Sequence, residues 1–468
     1  MTIKLYNTLT DGLEEFKPIR PREVWMYHCG PTVYDYVHIG NLRSFLLADI
    51  IRRAFEFFEF EVRQVMNITD VGIGGNNDEG EDKIIKGLKR EGKTVSMKSM
   101  KELGDFYTER FKEDIVKLNI EMPHVLPKAS EHIPEQIELI KILEGKDFTY
   151  KTSDGIYFDT SRDKHYGKLG RISKDGESRI EQNLEKRNSQ DFALWKFNSN
   201  LGFPSPWGQG FPGWHLECSV MSTKYLGNTF DIHTGGIDLA SIHHNNEIAQ
   251  SESACGCELA HYWLHNEFVN VADAPTSLKL RGVDKMAKSK GNQITLKILV
   301  EKGFNPLAYR YLLLMAHYRT PVIFSWEALE AAQNAYRKLK ETVSTYHVDT
   351  TSVELSLMYV KEFTDTLEND LNTPEALAVV WKLVKDESIS PADKYATLLN
   401  FDKVLGLDLE HNEFEIKDIP EEVQKLINKR ESVRATGDYQ KADKLREQIK
   451  NLGFVVEDTA SGQKISKL

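Results

Sequence analysis

Trp25 to Asn41, WMYHCGPTVYDYVHIGN, is the stretch from which the fold is read. Glu23 to Cys29 forms a short, mostly apolar run of strand character, and Gly30-Pro31 breaks it. From His38-Ile39-Gly40 onward, Leu42, Phe45, Leu46, Ile50, Ala54 and Phe57 recur at helical spacing. A second strand-like run, Glu61 to Thr69, follows. Strand, loop, helix and strand in that order predict a parallel βαβ crossover. In such sheets ligands bind beyond the carboxyl ends of the strands. Cys29 sits at that end, and His38 and Gly40 sit where the helix begins, a place that attracts anions. One stretch therefore offers a soft metal ligand and a phosphate site a few residues apart.

The 468 residues allow roughly three domains at about 150 residues each. The N-terminal MTIKLYNTLT carries no charged-then-apolar leader, and no apolar run approaches the roughly 20 residues that span a membrane. Four cysteines, Cys29, Cys218, Cys255 and Cys257, are too few for a disulfide scaffold and fit a reducing, cytoplasmic setting. The net charge of −11 argues against non-specific nucleic-acid binding by the whole chain. The tail from Lys425 differs, with ten Lys+Arg against six Asp+Glu, or +4. On charge alone this is equally a solvated helical face.

Val71 to Gly80 is a Gly- and Asn-rich loop, and Glu81 to Lys117 has a helical pattern. Ile120 to Pro127 reads as a strand, Pro134 to Leu143 as a capped helix, and Gly155 to Thr160 as an alternating strand. Arg162 to Asn188 is polar without a period. Asn119 to about Asn200 is expected to be an insertion between two halves of the first fold. Apolar sequence resumes at Asp191 to Lys196 and Pro212 to Met221. Strands are expected at Asn228 to His233 and Tyr262 to Val271, with a helix at His243 to Ala254 between them. Leu280 to Asn292, LRGVDKMAKSKGN, is a basic loop bounded by glycines. Beyond Ile294 helical spacing prevails, notably in Asn305 to Met315, Trp326 to Val343 and Pro374 to Val384. A linker near Leu407 to Ile419 leads to a helical hairpin, Glu421 to Leu452. The expected fold is α/β in front and all α behind. The expected segments are 1–118 with 201–292, the insertion 119–200, then 293–325, 326–410 and 411–468.

His243 and Glu247 lie four apart on one helix face and can hold one ion. Cys29 and Cys218 each read as the end of a strand or turn in the same sheet region. Two thiolates, an imidazole and a carboxylate suit Zn²⁺. Spacing alone leaves a second reading open: buried small hydrophobes and a surface histidine. Cys255-Gly256-Cys257 could also bind metal, but it lacks a partner pair and is expected to end the helix. His38 and Gly40 in front, with Lys285 and Lys288 behind, could meet the charge that builds on the α-phosphate when ATP is cleaved there. Alone, KMAKSKGN reads as an exposed basic loop.

Taken together these stretches resemble one family. His38-Ile39-Gly40-Asn41 is similar to the first signature of class I aminoacyl-tRNA synthetases, with Asn41 where His is usual. Lys285-Met286-Ala287-Lys288-Ser289 is similar to the second, with Ala287 where Ser is usual. Within that class YHCGPTVYDYVHIGN, NITD (Asn67 to Asp70), DFALWK, PGWHLECSVM, DIHTGG (Asp231 to Gly236), HHNNEIAQSE (His243 to Glu252), NDLNTPEALAV (Asn369 to Val379) and ADKLREQIKNLGFVVEDT resemble the cysteinyl-tRNA synthetases. The likeness runs from about Leu5 to Gly462.

The resemblance implies a class I Rossmann-like catalytic domain with an insertion, a stem-contact region, a helical bundle and a C-terminal anticodon-recognition domain. It implies ATP with Mg²⁺, L-cysteine, a cysteine tRNA and one Zn²⁺. Cys29, Cys218, His243 and Glu247 match the family's zinc ligands, and His244 remains open as an alternative. His38, Lys285 and Lys288 match catalytic positions, and His38, Gly40, Asn41 and Lys288 match ATP-binding ones. Thr69, Trp214 and His233 match positions near the amino acid. Arg430, Arg434, Lys441, Lys444 and Arg446 are candidate tRNA-phosphate contacts. A monomer is expected. Asn245 stands where the family usually has Glu, which is expected to lower the negative charge beside the metal. Ala287 is expected to weaken ATP binding. Two other readings share the front half: a ligase passing cysteine to an amino sugar, and a non-catalytic RNA-binding relative.

Overall fold

The computed structural model describes residues 2–71, 83–170, 185–272, 283–285, 293–346, 353–410, 420–459 and 462–467. The expected crossover is present. Strand β1 (Glu23–His28) leads through helix α1 (Ile39–Phe57) to β2 (Glu61–Met66), and β1 and β2 pair in parallel from Glu23↔Glu61 to His28↔Met66. Later in the chain come α2 (Trp214–Leu226), β3 (Phe230–Gly236), α3 (His243–Cys255) and β4 (Ala260–Asn266). The four strands form one all-parallel sheet in the order β4-β3-β1-β2. The chain moves outward from β1 to β2 on one side and from β3 to β4 on the other. The order reverses between β1 and β3, and their carboxyl ends form the crevice in which ligands of such sheets bind.

Backbones crowd together at that crevice. A Cβ on Gly30 would lie 1.6 Å from the carbonyl oxygen of Asn67, so only glycine lets the β1 loop pass the β2 loop. His38 caps α1, with its Nδ1 accepting the Asn41 amide at 3.2 Å. The His38 ring also occupies the space beside Gly40, where a Cβ would meet it at about 3.0 Å.

Four expectations need correction. Cys218 lies inside α2, not at a strand or turn end. That helix is buried on nearly every side, including Glu217, Ser219 and Ser222, so it shows no apolar period in sequence. Ile120 to Pro127 makes a single isolated bridge, Val65↔Val125, with Ile68↔Lys128 just beyond it, because Pro123 and Pro127 have no amide to donate. Tyr262 to Val271 is two strands, β4 and Val269–Ala272. Arg43 of α1 binds the carbonyls of Glu267 and Phe268 at 2.8 Å each and fixes the break. Glu81 to Lys117 is divided into the helices Lys83–Arg90 and Met97–Lys117.

Residues 149–212 add a four-stranded antiparallel sheet. Most of the Leu280 to Asn292 loop, including Lys288, lies outside the described residues, as do residues 72–82. Val283–Lys285 pairs with Val269–Ala272.

The chain forms two compact units, Met1–Leu339 with Tyr346–Leu407, and Lys340–Thr345 with Asp408–Leu468. The second contains the expected helical pair, Glu421–Ala435 and Tyr439–Asn451, plus a strand hairpin, Phe454–Thr459 with Gly462–Lys467, that the all-α expectation lacks. Arg430 is buried there and donates to Gln463 Oε1 at 2.8 Å, so it ties helix to hairpin and does not face a phosphate. Lys441, Lys444 and Arg446 are exposed, and Arg434 is half-buried.

In the first unit Arg310, on helix Pro306–Leu314, is fully buried. Its guanidinium meets Asp49 Oδ2 of α1 at 2.6 Å and the carbonyls of Leu118, Asn119 and Leu405 at 2.6–3.0 Å. One side chain thereby fastens α1 to the helical region behind it. Arg310→Ala leaves Asp49 and three carbonyls short of a donor. It is expected to destabilise this unit by about 3 kcal/mol, read by urea unfolding followed through tryptophan fluorescence.

Candidate metal centre at the sheet crevice

Cys29 directly follows β1, and its amide bonds the Thr234 carbonyl of β3 at 3.3 Å. Its Sγ lies 3.8 Å from Cys218 Sγ and 3.5 Å from Glu247 Oε1. One turn before Glu247 on α3, His243 places Nε2 2.9 Å from Glu247 Oε1. Donor atoms of these four residues lie within 4.8 Å of one another, and all four side chains are buried. A second set with the same reach shares two members: Cys29, His233, His244 and Glu247. There His244 Nε2 is 3.3 Å from Cys29 Sγ, and His233 Nε2 is 2.9 Å from Glu247 Oε2.

The chemistry of the cluster follows from its burial. Burial pushes the Cys29 thiol up, and Cys218 and Glu247 add to the rise. Burial also opposes ionisation of Cys218, but hydrogen bonds from Cys29 and His243 outweigh it and bring that thiol down to about 6. Desolvation disfavours the His243 imidazolium, yet Glu247 and Cys218 together raise its pKa to about 10. Glu247 is held at about 2, against burial, by His233 and His243. The metal-free cluster thus keeps its charges by pairing them, and each pair consists of groups that ligate metals.

Outer partners orient the ligand-type groups. His243 Nδ1 lies 2.8 Å from His215 Nδ1, and burial followed by His243 lowers the His215 pKa well below normal. His215 therefore accepts and His243 donates, which leaves His243 Nε2 to face Glu247. His244 Nδ1 meets His265 Nε2 at 2.7 Å, and His265 Nδ1 meets Thr8 Oγ1 at 2.9 Å. The Trp263 ring stacks on His233 at 4.3 Å. Asn245 is two residues from His243 and points elsewhere: Oδ1 accepts the Leu169 amide at 3.1 Å and Nδ2 donates to the Ala240 carbonyl at 2.9 Å. The expected loss of charge beside the metal is corrected by this direction, since residues two apart do not share a helix face.

Trp214, at the start of α2, lies with its ring 4.3 Å from that of His243. Thr69 is buried and donates to Glu217 Oε2 at 2.6 Å. Of the phosphate candidates, His38 stands at the head of α1 with the exposed Asn41 beside it. Ile39 N bonds Ile294 O at 2.8 Å and His38 forms a bridge with Thr295, so the chain just beyond the lysine loop is fastened to the helix start. Lys288 and the Lys285 side chain lie outside the described residues.

His215, His265, Asn67 and Glu217 escaped the sequence reading. Their signal was weak: polar residues interrupting runs otherwise read as apolar, as in PGWHLECSVM. Cys255 and Cys257 are disulfide-bonded to each other at the far end of α3 and contribute nothing to the cluster.

A family profile for the tRNA synthetases class I (C) catalytic domain matches residues 15–334. A profile for the cysteinyl-tRNA ligase anticodon binding domain matches 417–465, and a DALR domain profile matches 362–410. A cysteine–tRNA ligase of Burkholderia lata is 43% identical over 99% of this chain and 97% of its own length. The chain belongs to the cysteine–tRNA ligase family. A second member, from Treponema denticola, is 41% identical over the whole of both chains. Among solved structures, Mycobacterium tuberculosis methionyl-tRNA synthetase bound by methionyl-adenylate aligns with a TM-score of 0.55. Identity is 14%, over 82% of this chain and 90% of that one, a likeness of fold.

Within this cysteine–tRNA ligase family member, metal content separates the buried cluster from the exposed cysteine pair. Cys218→Ala is expected to purify with less than about a tenth of the wild-type metal per chain. The double variant Cys255→Ser with Cys257→Ser is expected to retain all of it, as read by elemental analysis.

Proposed function

We propose that this protein activates L-cysteine with ATP to cysteinyl-adenylate, releasing pyrophosphate, and transfers the cysteinyl group to the 3′ end of a cysteine tRNA. The observation that carries the reading is the buried set of two thiols, an imidazole and a carboxylate at the sheet crevice of a chain alignable throughout with cysteine–tRNA ligases.

The ion proposed for that set is Zn²⁺, held by Cys29, Cys218, His243 and Glu247. Two sulfurs each about 2.3 Å from one tetrahedral Zn²⁺ lie about 3.8 Å apart, the separation of Cys29 and Cys218 Sγ. When bound, Zn²⁺ would have to take a fifth ligand beyond these four residues, and as a borderline-soft ion it would take a thiolate far better than a hydroxyl. An apolar pocket alone separates near-isosteres by only about 10², so this chemistry would distinguish cysteine from serine. His233, from the second donor set, is proposed with Thr69 and Trp214 to line the amino-acid site.

The remaining roles rest on the residues themselves. The Asn41 amide engages His38 Nδ1, so a neutral His38 carries its proton on Nε2, the form that donates to a phosphate oxygen. Gly40 leaves room for that ring. Lys285 and Lys288 are proposed to neutralise the triphosphate from the opposite side, with Mg²⁺ accompanying ATP. The exposed Lys441, Lys444 and Arg446, with Arg434, are proposed to meet tRNA phosphates. The proposed division is a catalytic domain of 1–118 and 201–292, an insertion of 119–200, a stem-contact region of 293–325, a helical bundle of 326–410 and an anticodon domain of 411–468. The protein is proposed to act as a monomer in the cytoplasm. Among the described residues no helix is long and apolar enough to cross a membrane.

Cysteine-dependent exchange of pyrophosphate into ATP tests the activation step. Cysteine is expected to drive exchange, serine and alanine are not, and Cys218→Ala falls to background. Exchange with serine equal to that with cysteine would remove the zinc-selection reading. Charging of a cysteine tRNA transcript then tests the acceptor.

Zinc affinity should depend steeply on pH. The free cluster holds protons on Cys29 and His243 near neutrality, and Cys218, at about 6, has already lost its own. Loading therefore expels about two protons per ion, and log K is expected to rise by about two per pH unit between pH 6.5 and 8. Chelator competition measures this slope, and buffer-dependent calorimetric heats count the protons.

A further inference from the structure

Arg43 lies on α1, a little more than one turn beyond the His38 cap, and is 3% exposed. Its guanidinium meets five backbone carbonyls. Nη1 donates to Glu267 and Phe268 at 2.8 Å each. Nη2 lies 3.1 Å from the carbonyl of His317, 3.2 Å from that of Tyr318 and 2.6 Å from that of Thr320. A planar fork of N–H donors suits so wide a set, whereas an ammonium group carries its donors on one atom. What Arg43 grips is therefore the course of two chain segments remote in sequence.

Those segments are the roots of a small sheet. They bond each other, Glu267 N to Tyr318 O and Val322 N to Phe268 O, at 2.9 Å each. Directly beyond them Val269–Ala272 and Val322–Phe324 pair in parallel. Val269–Ala272 also pairs with Val283–Lys285, which places Lys285 opposite Asn270, two residues past the gripped Phe268. The chain comes back to the same helix at Ile294, whose carbonyl accepts the Ile39 amide at 2.8 Å. Both the strand that ends at Lys285 and the chain that resumes at Ile294 are thus referred to one rigid element, and that element begins at His38. We propose that Arg43 is a positioning residue for the ATP step: by holding the base of this sheet it sets the place of Lys285 relative to His38. It is buried with its donors engaged, so it acts through the strand and not on the nucleotide. This assignment rests on the activation reading above and adds to it the side chain that fixes the distance between the two phosphate-binding elements.

The experiment follows cysteine-dependent pyrophosphate exchange on the zinc-loaded full-length protein for wild type, Arg43→Lys, Lys285→Ala and the double variant. Cysteine affinity is measured separately by calorimetry without ATP. Arg43→Lys keeps the charge but cannot span five carbonyls. It is expected to lower kcat/KM for ATP roughly ten- to a hundredfold, the cost of misplacing reacting groups by about 1 Å, with zinc content and cysteine affinity as in wild type. Once Lys285 is already alanine, the same substitution is expected to cost less than about threefold, because residues that act through one another are not additive. Losses that multiply in the double variant, or cysteine affinity falling along with ATP use, are what a merely structural arginine gives, and either overturns the assignment. So does Arg43→Lys with wild-type kinetics. Arg43→Gln, which buries no charge, takes its place in the cycle if the lysine variant does not fold. A zinc-loaded wild type without exchange removes the activation reading and this assignment with it, before any substitution enters.

Discussion

Two thiols, three imidazoles and a carboxylate share one buried space in this protein: Cys29, Cys218, His233, His243, His244 and Glu247. Stripping water from such groups is unfavourable unless each charge meets an opposite charge or a hydrogen bond. Much of the surrounding architecture answers that requirement. Glu247 touches two histidines, His243 is backed by His215, and His244 by His265 and then Thr8. The rigidity of these partners is what would hold a metal's ligands at fixed distances.

The sheet makes the gathering possible. Because the strand order reverses between β1 and β3, no crossover helix covers the gap between their carboxyl ends. Cys29 enters from β1, His233 from β3, and the α2 and α3 helices on either side of β3 in sequence bring Cys218, His243 and Glu247. Gly30 permits the close passage of the neighbouring loop. The same crevice faces the head of α1, so the metal set and the His38 cap are consequences of one topology.

Much of this was legible in the chain itself. The βαβ unit showed because large apolar residues recur at helical spacing along α1 between two strand-like runs, although that helix is buried on most of its surface. The pair His243 and Glu247 showed because four residues make one helical turn. What stayed hidden lies where burial is complete. In α2 polar residues are buried with apolar ones, so no period marks it as a helix, and Cys218 read as a turn. The break between β4 and Val269–Ala272 depends on Arg43, more than 200 residues away. Asn245 appeared to stand beside the metal because it lies between two ligands in sequence, whereas the helix turns it away.

By itself, then, the sequence determined the local elements, the helix face carrying an imidazole and a carboxylate, the two signature stretches and the family. Local spacing and backbone stereochemistry suffice for these. Tertiary structure alone decided which thiols meet which imidazoles, which histidines serve as outer partners, and that Arg43 grips two remote segments at once. Those facts depend on distances between residues remote in the chain and on the exclusion of water. Neither is written in any local pattern.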